Sequence, residues 1–272
     1  MAMKNTDLEK AVAESGFPLQ LGVEHLVRSK GGRWRVILSE HPWHDSATDE
    51  DKFVDLVLQA DPGLTLIVEC KRAKETELIF LREQGEKENR NRVITRSWVT
   101  SLRTNGACPV NEWTDVPYIP ASPLAEFCVI RKNNQRSQEL LERTAAELVR
   151  ATEAMALQEL TIHKRQRTRL SRIYTPLIVT TAKIIICDLT LENFDSVTGE
   201  IPEGDFETVP FVRFRKTLSA TGNVEKKADL GDLAKQSERS VLVVHSASFV
   251  EILNKLDVGN IAGLANELWG TQ

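Results

Sequence analysis

Two apolar runs joined by a short polar turn constrain the fold of this chain more than any other part of its sequence. The runs cover residues 52–60 and 64–72, and the turn between them is Asp61-Pro62-Gly63. Such a turn between two apolar segments predicts a β-hairpin. A turn centred on its proline places residue 60 opposite residue 64, and therefore Asp55 opposite Glu69.

Charged residues lie within the apolar strands of the predicted hairpin, where burying a charge is energetically unfavourable. Directly opposed residues have Cβ atoms about 4.5–5.5 Å apart, so Asp55 and Glu69 can share a divalent cation. Strand alternation puts Lys71 on the same face as Glu69. Two carboxylates are the hard oxygen ligands that Mg²⁺ prefers, and a lysine stabilises the charge that develops on a phosphate. The pattern therefore predicts a metal-dependent phosphodiesterase site.

A simpler interpretation of the Glu-x-Lys pattern is a surface salt bridge. A strand with one solvated face, however, alternates polar and apolar residues along its whole length. Here Ile67 precedes Glu69 on the same face, and both faces are apolar until the strand ends. The charges cluster at one end of a strand that reads as buried, which favours a site.

Composition describes an ordinary globular chain of 272 residues, with 41% hydrophobic and 27% charged residues. No apolar run approaches the roughly 18 residues of a membrane span, and residues 1–10 lack the apolar core of a signal peptide. We therefore expect a cytoplasmic protein with no membrane partner. The net charge of −4 argues little against DNA binding, because local fields matter more than the total. The four cysteines form no CxxC pair, so we expect no zinc site.

The rest of the chain predicts a single α/β domain. We expect residues 1–190 to form the core and residues 191–272 to form a β-rich C-terminal extension packed on it. The other predicted elements are a helix over 6–29 broken near Gly16, a strand over 33–45, and helices over 91–103, 137–160 (capped by Ser137), 249–256 and 261–268.

The hairpin residues resemble a known family. Asp55, followed by Glu69-Cys70-Lys71 on the next strand and preceded by an N-terminal helix, is similar to the PD-(D/E)xK, or restriction-endonuclease-like, nuclease superfamily. The similarity is greatest over residues 10–72. It implies an αβββαβ core with a mixed central sheet and a bound Mg²⁺ or Mn²⁺. It also implies Asp55 and Glu69 as metal ligands and Lys71 as the catalytic lysine.

One position departs from the family pattern. Many members carry a glutamate on the first helix as an additional metal ligand, and the best-matching position here is Gln20, with Glu24 one turn later. Gln20 and Glu24 are therefore accessory metal candidates, with Glu14 as an alternative. Because an amide brings no charge, a degenerate descendant that only binds nucleic acid or a protein stays open beside an active enzyme.

The most basic segment lies far along the chain from the hairpin. Clusters of this kind supply most phosphate contacts in nucleic-acid complexes, and cations also suit a solvated helix end. The strand end at His41 and His44 is a further, weaker active-site candidate. The nucleic-acid candidates in the basic segment are Lys164, Arg165, Arg167 and Arg169.

Taken together, these patterns lead us to expect a Mg²⁺-dependent endonuclease that hydrolyses phosphodiester bonds in DNA, in defence against foreign DNA or in repair. The alternatives are an inactive nuclease-fold module and a nuclease acting on RNA. Since cutting a duplex needs two sites or two visits, we also expect a homodimer, or a partner protein bound through the C-terminal region.

Overall fold

A computed structural model of the chain describes residues 5–61, 63–83, 93–132, 138–201, 203–217 and 229–258. None of the helices in these ranges is both long and apolar enough to cross a membrane. The helices are α1 (Asn5–Glu14), α2 (Phe17–Lys30), α3 (Gln138–Gln166), α4 (Leu230–Ser237) and α5 (Phe249–Lys255), with short 3-10 turns at Leu191–Asn193 and Ser246–Ser248.

The described strands form two sheets. They are β1 (Trp34–Asp45), β2 (Glu50–Ala60), β3 (Leu64–Lys71), β4 (Thr76–Glu83), β5 (Ile94–Leu102), β6 (Val110–Pro117), β7 (Leu124–Ala125), β8 (Phe127–Lys132), β9 (Leu170–Thr180), β10 (Lys183–Leu189), β11 (Gly204–Thr208), β12 (Phe211–Thr217) and β13 (Glu238–His245).

The larger sheet contains both parallel and antiparallel strand pairs. Together with the helices it makes the protein mixed α/β. Its strand order is β1-β2-β3-β9-β13-β12-β7, and β5 pairs with both β6 and β9. The first three strands are antiparallel to one another, whereas β9 returns after α3 to run parallel to β3. The smaller sheet has the order β11-β10-β4-β8.

Helices cover both faces of the larger sheet. On one face, Val23 and Val27 of α2 and Phe249 of α5 pack on the apolar residues of β2 and β3. On the other face, α3 packs between the larger sheet and residues of β4, β8 and β10, so the second core is shared by the two sheets. Strands β12 and β13, from the stretch after residue 190, lie in the larger sheet beside β9.

The predicted hairpin register is confirmed from the turn to Leu56 and Val68, but the predicted pair of Asp55 opposite Glu69 is not formed, because the two strands separate there. Residue pairs run from Ala60 opposite Leu64 to Leu56 opposite Val68. Pro62, the centre of the predicted turn, lies outside the described residues. Gly63 has a φ of 105°, and a Cβ there would lie 2.5 Å from the Ser171 carbonyl oxygen. Glycine is required at this position by both its backbone conformation and the close approach of β9.

Several element predictions can be compared with the structure. The helix break near Gly16 is confirmed by the separation of α1 and α2, and the helix over 249–256 is confirmed by α5. The predicted helix over 91–103 is wrong, because residues 94–102 form strand β5. The Ser137 cap and the helix over 261–268 fall outside the described part of the chain.

Candidate active site

Asp55 lies where β2 separates from β3. Val54 and Val57 both belong to the core beneath α3, although positions three apart lie on opposite faces of a regular strand. The alternation is therefore interrupted at Asp55, and the β2–β3 pairing ends at the next residue, Leu56. The Asp55 carboxylate accepts a hydrogen bond from the backbone N–H of Cys70 at 2.6 Å. This bond fixes the carboxylate at the end of β3, beside Glu69.

Glu69 and Lys71 form an ion pair at the end of β3. Lys71 Nζ lies 2.6 Å from Glu69 Oε1, and the two side chains are 44% and 19% exposed. The predicted trio is thus brought together: Asp55 is bound to the residue between Glu69 and Lys71, and each of the three perturbs the ionisation of another.

Burial and neighbouring negative charge together perturb the ionisation of the trio. Burial raises the pKa of Asp55 to about 7, and the nearby charges of Glu69 and Glu40 act in the same direction. Burial alone would lower the pKa of Lys71, but Glu69, Asp55 and Glu147 outweigh it and raise that pKa. Lys71 therefore stays protonated at neutral pH, while Asp55 sits close to its midpoint.

Glu40 is a fourth charged group that sequence reasoning missed. A β-bulge between Val36 and Leu38 shifts the β1–β2 register by one residue. The pairs on either side of Glu40 place it opposite Asp55, whereas without the bulge Ser39 would hold that position. Glu40 also has a φ of 50°. No local sequence signal marks the bulge, so only the pairing itself reveals Glu40.

Gln20 joins Glu40 to Asp55 through hydrogen bonds. Its side chain is buried, and its Nε2 donates to a Glu40 carboxylate oxygen and, at 3.3 Å, to the Asp55 carbonyl oxygen. Its amide oxygen is the atom that a metal ion would bind. Glu24, the second helix candidate, is paired with Arg28 at 2.7 Å. In the described part of the chain, no hydrogen bond or ion pair joins Glu24 to Asp55 or Glu69.

Helix α3 lines the site on the side of Glu69 and Lys71. A pocket of about 270 Å³ is lined by Glu69, Lys52, Thr144 and Glu147, among others. A neighbouring pocket of about 140 Å³ has an apolar floor. Thr144 of α3 lines both pockets, and the second pocket's cations are Lys71, Arg72 and Lys74.

Arg72 and Lys74 were not assigned a role from the sequence, although they directly follow the Glu69-Cys70-Lys71 motif. Within the described residues neither has an ion-pair partner. They are thus better placed for phosphate contacts at the trio than the predicted basic segment. Lys164, Arg165, Arg167 and Arg169 are exposed at the end of α3 and the start of β9. Lys71 pairs with Thr180 at the opposite end of β9, roughly 30 Å away at 3.3 Å per residue.

The candidates at the end of β1 interact with residues outside the trio. Asp45 is fully buried and contacts Lys52 Nζ at 2.8 Å and Arg150 Nη2 at 3.0 Å. His44 pairs with Asp49 and Asp51 on the surface, and His41 lies 3.5 Å from Gln158. The Asp45 cluster ties α3 to β1 and β2, so these residues read as structural.

The donor chemistry of the trio fits a divalent cation. Asp55 is a largely buried carboxylate that lies next to like charges and receives one backbone N–H, so a positive partner would relieve it. Glu69 supplies a second hard oxygen ligand. Within the described ranges, however, no group of three or more Asp, Glu, His or Cys side chains is arranged to hold a metal ion. The site therefore offers two carboxylates and an amide oxygen.

Comparison with known proteins identifies no relative. No protein-family model matches the chain, and no curated protein or solved structure matches it. The functional assignment depends on the residues and their geometry alone.

Proposed function

We propose that the protein is a metal-dependent nuclease that hydrolyses phosphodiester bonds in DNA, with its active site at Asp55, Glu69 and Lys71. The observation that carries the proposal is the position of Asp55. This largely buried acid, whose pKa is raised to about 7, is fixed on Cys70 N–H between a second carboxylate and a protonated lysine. Strongly perturbed acids in a pocket are typical of functional sites.

The order of elements supports the same proposal. Helix α2, strands β1, β2 and β3, helix α3 and strand β9 follow one another in the chain, and the four strands are adjacent in the sheet. This order of elements supports an αβββαβ core. We propose a restriction-endonuclease-like core in residues 1–190, with 191–272 as an extension that adds β12 and β13.

The proposed roles follow from the charges. Asp55 and Glu69 would hold Mg²⁺ or Mn²⁺, with Gln20 as an accessory ligand; such an ion polarises the phosphate and activates a water molecule. Lys71 keeps its proton at neutral pH, so it can stabilise negative charge on a phosphate oxygen. Arg72 and Lys74, which have no ion-pair partner among the described residues, would bind neighbouring phosphates.

The proposal is tested by incubating single-stranded DNA, duplex DNA and RNA with the protein in Mg²⁺, Mn²⁺ or EDTA. We expect metal-dependent DNA cleavage by the wild type, and loss of cleavage in Asp55→Asn and Lys71→Ala. Glu24→Gln is the matched control, because it removes a nearby acid that is paired with Arg28. If both site variants cleave as the wild type does, the site assignment is wrong.

A second candidate function is a nuclease-fold module that binds without cutting. The specific observation in its favour is that the described residues contain no three-ligand acidic metal group. This candidate predicts metal-independent binding and no cleavage of DNA or RNA by the wild type. Preferential cleavage of RNA would instead assign the same site to a ribonuclease.

A further inference from the structure

The outer face of the smaller sheet is apolar. Leu78, Phe80 and Ile184 point inward to the core beneath α3, so alternation turns their neighbours outward. The pairing of β8, β4, β10 and β11 arranges the outward residues in rows. One row is Phe127, Leu81, Cys187 and Phe206, and the next is Val129, Ile79, Ile185 and Thr208.

This face is exposed at its two edge strands, whereas Ile185 and Cys187 on β10 are only 8% and 3% exposed. Phe127 on β8 is 61% exposed and Phe206 on β11 is 67% exposed, while Val129 is 37% exposed. Exposed apolar patches of this kind on one sheet face mark interaction surfaces.

A third row across the same face is charged. It contains Arg131 on β8, Glu77 on β4 and Lys183 on β10. Within the molecule Arg131 Nε lies 2.5 Å from Glu77 Oε2. The row thus has a positive, a negative and a positive residue in order, at one end of the apolar rows.

We propose that this outer face binds the same face of a second copy of the chain, about a two-fold axis parallel to the strands. Such an axis places β4 over β10 of the partner and β8 over β11 of the partner, as in a β-sandwich. Row by row, Ile79 meets the partner's Ile185, and Phe127 meets the partner's Phe206. In the charged row, Glu77 meets the partner's Lys183, and this contact occurs twice.

This reciprocal charge match selects a second copy as the occupant. The segments that directly follow β4 and β8, residues 84–92 and 133–137, contain no large apolar residue. Residues 259–272 do contain apolar residues, including Ile261 and Trp269, but they do not supply a partner for both Glu77 and Lys183. Residues 218–228 carry charges of both signs but only Leu218 and Val224 as large apolar residues, too few to cover the apolar rows. The chain's own C-terminal segment is therefore the competing occupant that the test must exclude.

The size of the face sets the expected affinity. Four strands at about 4.8 Å spacing and a strand of seven residues at about 3.3 Å each give roughly 450 Å² per copy. The total is on the order of 900 Å², which is at the low end for specific complexes. The structure therefore implies a weak dimer that forms in the micromolar range, independent of whether the protein is a nuclease.

The first test is analytical ultracentrifugation of the full chain over a wide concentration range. We expect a monomer–dimer equilibrium in the wild type and a monomer in Phe206→Glu. Phe17→Glu is the matched control, because Phe17 is an equally exposed phenylalanine (61%) on α2. It should dimerise as the wild type does.

The second test uses the charged row. Glu77→Lys places lysine over Lys183 of the partner, and Lys183→Glu places glutamate over Glu77 of the partner, so each variant alone should dimerise about tenfold more weakly. An equimolar mixture of the two variants forms two complementary pairs and should recover wild-type affinity. Changes within one molecule cannot produce such recovery on mixing.

A wild type that stays monomeric at high micromolar concentration overturns the proposal. So does a dimer that persists in Phe206→Glu or a mixture that shows no recovery. If the wild type is monomeric and removal of residues 259–272 creates a Phe206-dependent dimer, the C-terminal segment is the occupant and the proposal is wrong.

Discussion

Two aspartates on neighbouring strands of one sheet are buried with opposite consequences. Burial would raise the pKa of Asp45, but hydrogen bonds from Arg150, Lys52 and the Ala47 N–H outweigh it and hold that pKa well below its ordinary value. For Asp55, burial and then the charge of Glu69 outweigh the Cys70 N–H and Lys71, so its pKa rises to about 7. Burial raises the pKa of both carboxylates, and the hydrogen bonds and charges around each one decide whether that effect prevails.

The difference separates a structural acid from the acid of the proposed active site. Asp45 joins three elements, because Arg150 is on α3 and Lys52 is on β2. Asp55 lowers the stability of the free protein and leaves a place for a positive ligand. Stability that is given up at one position is a common property of active sites.

The largest expected effect is on catalysis. Asp55→Asn should lower the rate of metal-dependent DNA cleavage by about 10³-fold or more, equivalent to roughly 4 kcal/mol, because a neutral amide binds a cation weakly. Asp45→Asn, assayed at a temperature where it remains folded, should keep the wild-type rate. Equal losses in the two variants would remove the distinction between the two acids.

The next effect is on folding. Asp45→Asn should lower the free energy of unfolding by about 3–5 kcal/mol in urea titrations, since it leaves Arg150 and Lys52 without their buried partner. Asp115→Asn is the control: Asp115 is 47% exposed and lies 3.4 Å from Arg96, so the change should cost less than about 1 kcal/mol. Similar losses would show that the Asp45 cluster is an ordinary surface network.

Asp55→Asn should raise the free energy of unfolding, which is the opposite of the effect of Asp45→Asn. Asparagine can still accept from Cys70 N–H, and it removes a charge that the folded state disfavours. At pH 8 the gain should be on the order of 2–4 kcal/mol, from a pKa raised from 3.8 to about 7. Near pH 3 the gain should vanish, because Asp55 is then largely protonated in both the folded and the unfolded wild type. Destabilisation by Asp55→Asn at pH 8 would contradict the raised pKa.

The two acids should give opposite pH dependences. The folded-state pKa of Asp55 is raised, so its contribution to stability is lost as pH rises from about 4 to about 7. The folded-state pKa of Asp45 is lowered, so its contribution is present at neutral pH and is lost as pH falls below about 4. Urea titrations of wild type, Asp45→Asn and Asp55→Asn across pH 3–8 separate the two slopes. A wild type and Asp55→Asn with parallel pH curves would refute this assignment.

The smallest expected effect concerns Glu40. Its charge is the weakest of the factors that perturb the pKa of Asp55, so Glu40→Gln should lower the pH midpoint of cleavage by less than about one unit. The same measurement on Glu24→Gln should show no shift. A shift of more than one unit in Glu40→Gln would contradict the minor role of this charge.

Much of the site could be predicted from sequence because it depends on local structure. The turn fixes the register of β2 and β3 up to Leu56 and Val68, and the hydrogen bond from the Cys70 N–H then holds the Asp55 carboxylate beside Glu69. Glu40 could not be predicted, because its position depends on a β-bulge in β1 that carries no sequence signature.

The conformation of strand β5 could not be predicted from the sequence. The spacing of its apolar residues favours a helix, but its conformation is set by partners distant in the chain. Thr95 accepts a hydrogen bond from Arg213, and Ser97 bonds to Thr175. Backbone pairing with β6 and β9 completes the strand. Such tertiary contacts override local propensity.

The most direct test of the proposed site is a crystal structure of the protein soaked in Mn²⁺ at pH 8, with an anomalous difference map. We expect a peak about 2.0–2.3 Å from carboxylate oxygens of both Asp55 and Glu69, and no peak in Asp55→Asn crystals. A wild-type map with no peak at Asp55, and with the Glu69–Lys71 ion pair intact, would contradict it.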